Sequence, residues 1–326
     1  MTEKVAQVTA RDVLKFGDDF LTIDEVGRSG LEDIVEFAES FVGDSSKYAS
    51  ALSGKIVATM FFEGSTRTRL SFELAAKQLG SNVLSFFEST SSVKKGESFK
   101  DTAKTVEAFG VDCLIVRHAS IGASHQVARW VNIPVINAGD GCHAHPTQAL
   151  IDVLTIRDSL RSRGKDISFE GIKVGILGDV RNSRVARSSA KALSLLGAQV
   201  VGIAPALWTP DKRSIETLGF SSFTSDLDSE LEGLDFLILL RIQNERLQNK
   251  RMQSINEYIK NFSMTGSRLD RLNPEAFIMH PGPMNRGVEI SSQLADSKKS
   301  LILNQVSYGI PARMAVLLKV LSEVGN

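Results

Sequence analysis

The chain has 326 residues, 42% of them hydrophobic, so about two domains of roughly 150 residues are expected, with apolar content enough for two buried cores. Its 38 Lys and Arg balance its 38 Asp and Glu, which excludes a protein drawn to nucleic acid or an anionic membrane by its overall field. No apolar run reaches the ~18 residues of a spanning helix, and the opening MTEKVAQVTARDVLKF holds no apolar signal core, which makes a cytoplasmic protein the expectation.

Along the chain, apolar β-branched runs of strand length recur at 55–62, 112–118, 133–139, 172–179, 199–205, 235–241 and 276–282. Helical patterns lie between them at 71–80, 98–110, 123–131, 147–160 and 184–197, several ending at Gly, as helices often do. Continuous apolar strands separated by helices predict parallel sheets covered on both faces, hence an α/β fold. A boundary is expected near 157–171, where a helical pattern runs into the charged stretch RDSLRSRGKDISFEG. VSYGIPARMAVLLKVLSEVG reads as a terminal amphipathic helix beginning after Pro311. The two cysteines, Cys113 in an apolar run and Cys142 beside His143, fit a reducing compartment and no disulfide framework.

The first stretch that carries chemistry is FFEGSTRTRLSFE, from Phe61. Its polar cluster falls between the end of a strand and the start of a helix, where ligands of open α/β sheets bind. Free backbone N–H groups and the helix dipole favour an anion there, and an arginine adds a charge-assisted fork. Residues 67 and 69 lie about 200° apart on an ideal helix, so the two are not expected to face one ligand together, and Arg67 is taken as the one that does. A capped helix with solvated arginines is the plain alternative, and no GK[ST] follows to make a nucleotide loop.

SSVKKGESFKDT offers Lys94 and Lys95 before Gly96, which taken alone equally describes an exposed basic loop. In HAHPTQALID, Pro146 suits the first helical position and puts His145 at the helix mouth. A neutral histidine there can donate to an oxygen on which negative charge develops. Helix capping is the alternative role. Cys142, His143 and His145 crowd together, yet the distant partner pair usual for zinc is missing. In the second half, GILGDVRNSRVARS supplies Arg181, Arg184 and Arg187. It lacks the G-x-G-x-x-G spacing of a dinucleotide fingerprint, and arginines three apart also suit a solvated helix face. Arg241 and Gln243 alternate onto one side at the end of another strand, and HPGPMNRGVEI provides a rigid turn. Phosphate and oxyanion groups in one half, with guanidinium forks for carboxylates in the other, suggest two anionic substrates meeting between domains.

These motifs, in this order and over nearly the whole length, resemble the catalytic chains of the aspartate carbamoyltransferases, within the transcarbamylase superfamily. Glu63 before the STRT run, together with RIQ-ER and HPGP, points to aspartate. The ornithine branch typically carries Lys at the Glu63 position and an HCLP turn. The resemblance implies two doubly wound parallel-sheet domains with an interdomain active-site cleft. Residues 1–150 would bind carbamoyl phosphate, completed by a C-terminal helix at 305–326, and 151–304 would bind aspartate. The implied reaction gives N-carbamoyl-L-aspartate and phosphate, an early step of pyrimidine biosynthesis, with neither cofactor nor metal.

By the same resemblance, Ser65, Thr66, Arg67 and Thr68 would hold the phosphate. Arg117 would bridge phosphate and carbonyl, His145 would polarise the carbonyl, and Gln148 would bind the carbamoyl amide. Ser91 and Lys95 would reach the site of a neighbouring subunit in a homotrimer. Arg184 and Arg241, with Gln243 and Lys95, would clamp the aspartate carboxylates, and the backbone at Gly282 and Pro283 would position the amino group. Glu63, through Arg184 and Arg246, would tie the domains together on closure, and 244–273 would be the closing segment. Gly282 stands where some members carry Leu, a change that a backbone role would tolerate. A regulatory chain or a dihydroorotase is a further partner that the resemblance raises. The competing readings are an ornithine-using transcarbamylase, a Rossmann oxidoreductase and a non-catalytic paralogue. The last would have lost at least one of Arg67, Arg117, His145 or Arg241, and all four are present.

Overall fold

The computed structural model describes residues 19–87, 96–242 and 255–321. Ser91, Lys94, Lys95, Gln243 and Arg246 lie outside the described residues, as does the start of the expected closing segment.

Two wholly parallel sheets form the frame. The first contains β1 (Ile56–Phe61), β2 (Asn82–Phe87), β3 (Cys113–His118) and β4 (Val135–Asp140), in the order β2-β1-β3-β4. In the second, β5 (Lys173–Leu177), β6 (Gln199–Ile203), β7 (Ser222–Thr224), β8 (Phe236–Leu239) and β9 (Phe277–Met279) run in the order β7-β6-β5-β8-β9. Strands pack on both faces, as the continuous apolar runs require. Val57 and Phe61 of β1 enter one hydrophobic cluster while Ala58 and Met60 enter another, and Ile115 and Leu114 of β3 divide in the same way.

The helices are α1 (Ile23–Glu39), α2 (Thr66–Gln78), α3 (Phe99–Ala108), α4 (Ala123–Trp130), α5 (Pro146–Ser162), α6 (Arg184–Leu195), α7 (Lys212–Thr217), α8 (Ile255–Phe262), α9 (Gly266–Leu269), α10 (Ser292–Ala295) and α11 (Ile302–Leu321). No described helix is long and apolar enough to cross a membrane. Several elements escape the sequence pattern, among them the edge strands β2 and β7, which are not fully buried, the short helices α7–α10, and α1, where Gly27 at φ 68° interrupts the helix.

Two expectations need correction. The expected division at 150/151 falls inside α5, one continuous helix that joins the halves and packs on both α6 and α11. The terminal helix starts at Ile302, before residue 305, and Pro311 lies in its interior rather than ahead of its first turn. A proline there forfeits one backbone hydrogen bond. The carbonyl left over is that of Ser307, an exposed residue, so water can satisfy it. Nor is the helix amphipathic throughout, because every residue from Ala312 to Leu321 is buried. It packs on α5, α2 and α1, the helices of the first half, and the side chain of Lys319 pairs with Asp33 on α1.

Helix α5 is likewise buried along its first twelve residues, Thr147, Gln148, Asp152 and Arg157 included. Buried polar groups are costly unless hydrogen-bonded. Arg157 accordingly donates to both carboxylate oxygens of Glu39, at 2.8 and 3.2 Å.

Candidate active site

In each sheet the strand order reverses once, between β1 and β3 and between β5 and β8. Such switch points open a crevice at the strands' carboxyl ends. A cleft of about 1160 Å³ is lined from both, by Glu63–Thr68 and Leu70 after β1, Arg117 on β3, Asp179 and Asn182–Val185 after β5 and Leu240–Arg241 after β8. The loop after β9 adds His280–Pro283, and α11 adds Gln305, Gly309 and Arg313.

The anion-binding end is built from α2. Ser65 is its N-cap in extended conformation, its hydroxyl makes no capping bond, and the residue lines the cleft. Thr66, Arg67 and Thr68 form the first turn. Arg67 lines the cleft. Arg69, half a turn away, instead lies 4.6 Å from the Phe87 ring and 3.6 Å from Glu73. Gly282 has φ 69°, and a Cβ there would come within 3.1 Å of the Arg67 guanidinium carbon. A side chain at this position is therefore not simply tolerated, because Arg67 rests against the bare backbone.

Arg117 is buried, donates to the Ala138 carbonyl at 3.1 Å and faces Glu63 at 3.5 Å. Burial, with the nearby charge of Arg184, lowers its pKa to about 10, which leaves it cationic at neutral pH. His145 caps α5 ahead of Pro146, and its backbone N–H donates to Ser188 Oγ at 2.9 Å. Its imidazole pKa is driven far below the usual value by burial and by Arg117, Arg184 and Arg313. Gln148, one turn on, lines the same wall and donates to Asp152 at 2.9 Å.

Across the cleft, Arg184 makes a two-pronged pair with Glu63, 2.9 Å on each side, and donates to the Gly141 carbonyl at 3.2 Å. Burial raises the Glu63 carboxyl, but the Arg184 hydrogen bond and the charges of Arg117 and Arg184 outweigh it and hold the carboxyl below its ordinary value. Arg241 is exposed and lines the cleft. Arg187 points elsewhere, to the Arg181 carbonyl. Of the expected closing segment, 255–273 is packed: Tyr258 and Met264 are buried, and Arg268 pairs with Asp228 at 3.0 Å.

Cys142, His143 and His145 do not form one cluster. Cys142 and His145 line the cleft, whereas His143 turns to Asp140 at 3.0 Å and shares with His125 a trio whose ligand atoms lie within 4.8 Å of one another. The Asp140 oxygens already accept from Asn137, Gly122 and Ala144.

Two contributors to the cleft wall, Gln305 and Arg313, have no place among the sequence motifs, and His280, there only part of the HPGP turn, has a role of its own. His280 accepts the Gly282 N–H at Nδ1 (2.8 Å) and is pushed down to a pKa of about 3 by burial and by Arg67 and Arg241. Arg313 stacks 4.8 Å over Phe72, donates to Gly309 O at 2.8 Å, and is lowered to about 9 by burial and by Arg117. Gln305 accepts the His280 N–H at 2.7 Å. The helical spacing of 305, 309 and 313 is a signal present in the sequence, masked by Pro311, which reads as a helix start.

Residues 18–158 match the family model described as the carbamoyl-P binding domain of aspartate/ornithine carbamoyltransferase, and residues 170–320 match its Asp/Orn binding domain. The chain belongs to the aspartate/ornithine carbamoyltransferase family. Within it, the aspartate carbamoyltransferase catalytic subunit of Rhodococcus erythropolis is 44% identical over 311 residues, covering 92% of this chain and 96% of the relative. That of Methylorubrum extorquens is 45% identical over 309 residues, covering 94% and 95%. Among solved structures, the aspartate transcarbamoylase of Trypanosoma cruzi in complex with carbamoyl phosphate and aspartate superposes with a TM-score of 0.82 at 27% identity, over 96% of this chain and 99% of that one. The catalytic subunit of the M. jannaschii enzyme gives 0.80 at 33%, over 93% and 97%.

Proposed function

We propose that the chain transfers the carbamoyl group of carbamoyl phosphate to the amino group of L-aspartate, releasing N-carbamoyl-L-aspartate and phosphate. The observation that carries this reading is the meeting in one cleft of an uncapped helix N-terminus, a buried Arg117–His145 pair and, on the facing wall, Arg241 with the 280–283 turn. Relatives named for this activity and a neighbour holding both substrates support it.

In this reading the phosphate sits on Ser65, Thr66, Arg67 and Thr68, held by first-turn N–H groups and the Arg67 fork. Arg117, His145 and Thr68 surround the carbamoyl oxygen, and Gln148 accepts from the carbamoyl amino group. The aspartate nitrogen attacks the carbamoyl carbon, and the C–O bond to phosphate breaks as the tetrahedral oxyanion collapses. The departing phosphate takes the ammonium proton. A neutral His145 suits the role, since it donates without adding a second full charge beside Arg117. Donors fixed before the reaction contribute about 3–4 kcal/mol to such a transition state, and orientation contributes more.

Arg241 takes one aspartate carboxylate directly. Arg184 takes the other only by sharing or releasing Glu63, so Glu63, with Arg246, links substrate binding to the contact between halves. Gly282 and Pro283 position the amino group, with Gln243 assisting. Ser91 and Lys95 complete the site from a neighbouring subunit of a homotrimer. The first sheet with its helices and the 302–321 helix form the carbamoyl-phosphate half, the second sheet with its helices forms the aspartate half, and α5 joins them.

The test is an assay of the purified chain with carbamoyl phosphate, comparing ureido product from L-aspartate and from L-ornithine. Product from aspartate alone is expected. Absence of product from an assembled, folded chain would falsify the proposal, and product from ornithine would redirect it to the other branch of the family.

A further inference from the structure

One buried carboxylate lies behind both walls of the cleft. Asp152 follows Gln148 by one turn of α5, and its Oδ1 accepts from Gln148 Nε2 at 2.9 Å and from Gln305 Nε2 at 2.9 Å. Its Oδ2 accepts from the Ser189 hydroxyl on α6 at 2.6 Å. Asp152 itself is fully buried. It therefore touches neither substrate and acts only through these three donors.

The chemistry of an amide gives that arrangement its meaning. Each glutamine has a donor end and an acceptor end, and an ionised carboxylate can only accept. Both NH₂ groups must therefore point at Asp152, which turns both carbonyl oxygens away from it. For Gln305 the consequence is visible: its Oε1 accepts the His280 N–H at 2.7 Å, and His280 in turn accepts the Gly282 N–H. For Gln148, which lines the cleft, the oxygen is the end not held by Asp152 and is left for a ligand.

We propose that Asp152 is a positioning residue that sets the amide orientation of Gln148, so that an acceptor rather than a donor meets the amino group of the carbamoyl donor, and that through Gln305 it also fixes the 280–283 turn. This rests on the assignment of Gln148 to the carbamoyl amide. Such an orientation selects NH₂ over an isosteric CH₃. A reversed Gln148 would set N–H against N–H and leave its carbonyl against the Asp152 carboxylate.

Acetyl phosphate keeps the phosphate and the carbonyl of carbamoyl phosphate but replaces NH₂ with CH₃, so the ratio of the two affinities reads the Gln148 acceptor. Asp152→Leu fills the vacated volume and Asp152→Ala leaves it open; inorganic phosphate binding at wild-type affinity establishes that either has folded. In whichever folds, the preference for carbamoyl over acetyl phosphate is expected to fall about tenfold, as it should in Gln148→Ala. Asp152→Asn, which keeps an acceptor oxygen toward the two glutamines, should retain the preference. A role confined to packing would weaken both acyl phosphates equally and leave the ratio unchanged. An unchanged ratio in folded Asp152→Leu or Asp152→Ala, or a full loss in folded Asp152→Asn, overturns the proposal while sparing the Gln148 assignment. An unchanged ratio in Gln148→Ala removes that assignment, and the proposal with it.

Discussion

The two halves of the cleft hold their charged groups in different ways. In the first, Arg117, Thr68, His145 and Gln148 are buried, and Arg117 and Gln148 are tied by hydrogen bonds to groups beside them. In the second, Arg241 is exposed, and the Arg184 fork is already committed to Glu63. The groups around the carbamoyl oxygen are set before a ligand arrives, whereas the second wall must exchange an internal partner or capture a ligand from solvent, as exposed Arg67 at the phosphate end also must. That division suits a reaction whose transition state needs fixed donors at one carbon and whose second substrate needs only to be held by its carboxylates.

The sharpest way to break the comparison is Arg117→Ala. If the first wall supplies preset stabilisation, turnover should fall by about 10³-fold with little change in the aspartate requirement. Steady-state kinetics with both substrates varied would check this, and an unchanged turnover number removes Arg117 from the oxyanion. Arg241→Ala should do the reverse, raising the aspartate KM by about 10–100-fold, the scale of a lost charged hydrogen bond of about 1.5–3 kcal/mol. Carbamoyl phosphate binding, measured by calorimetry, should stay close to wild type. Loss of phosphate binding first would contradict the assignment of walls.

The smallest effect concerns protons. His280 is lowered to about 3, and His145 also lies well below 6.5, so below pH 6.5 the unfolded chain binds more protons at these sites than the folded one. Their contribution to stability is present above pH 6.5 and is lost as the pH falls toward their folded values. Asp152, raised to about 6 by burial, pulls the other way between about pH 6 and 3.8. His280→Asn keeps an acceptor for Gly282 N–H and removes one titration. Its stability loss between pH 7 and pH 5, from urea unfolding, should be smaller than that of wild type by ~2 kcal/mol. An equal loss would mean that His280 is protonated in the folded chain.

Much of the cleft could be read from sequence because local rules governed it. That Arg67 and Arg69 would not both face the ligand followed from helical angle, and the position of His145 from Pro146. The strands were legible because two-sided burial demands continuous apolar runs. β2 was not, since an edge strand with half its residues exposed shows no such run. Arg313, Gln305 and Ser189 were hidden for a different reason. They come from 302–321 and 184–195 to meet residues more than thirty positions away, and one sequence carries no periodicity for contacts made across the fold. The reading of Pro311 as a helix start also failed on tertiary grounds, since packing against three helices offsets one lost backbone bond.

The 302–321 helix follows both sheets in chain order, yet it walls the cleft of the first half and packs on α1, nearly 300 residues earlier. Synthesis therefore imposes a delay. While the chain is still emerging from the ribosome, the first sheet can pair its strands but lacks its covering helix, and Gln305 and Arg313 do not yet exist. The halves are thus not beads that mature one after the other. The earlier one waits, with apolar surface uncovered, until the later one has been made, and the cleft appears only when the two are complete.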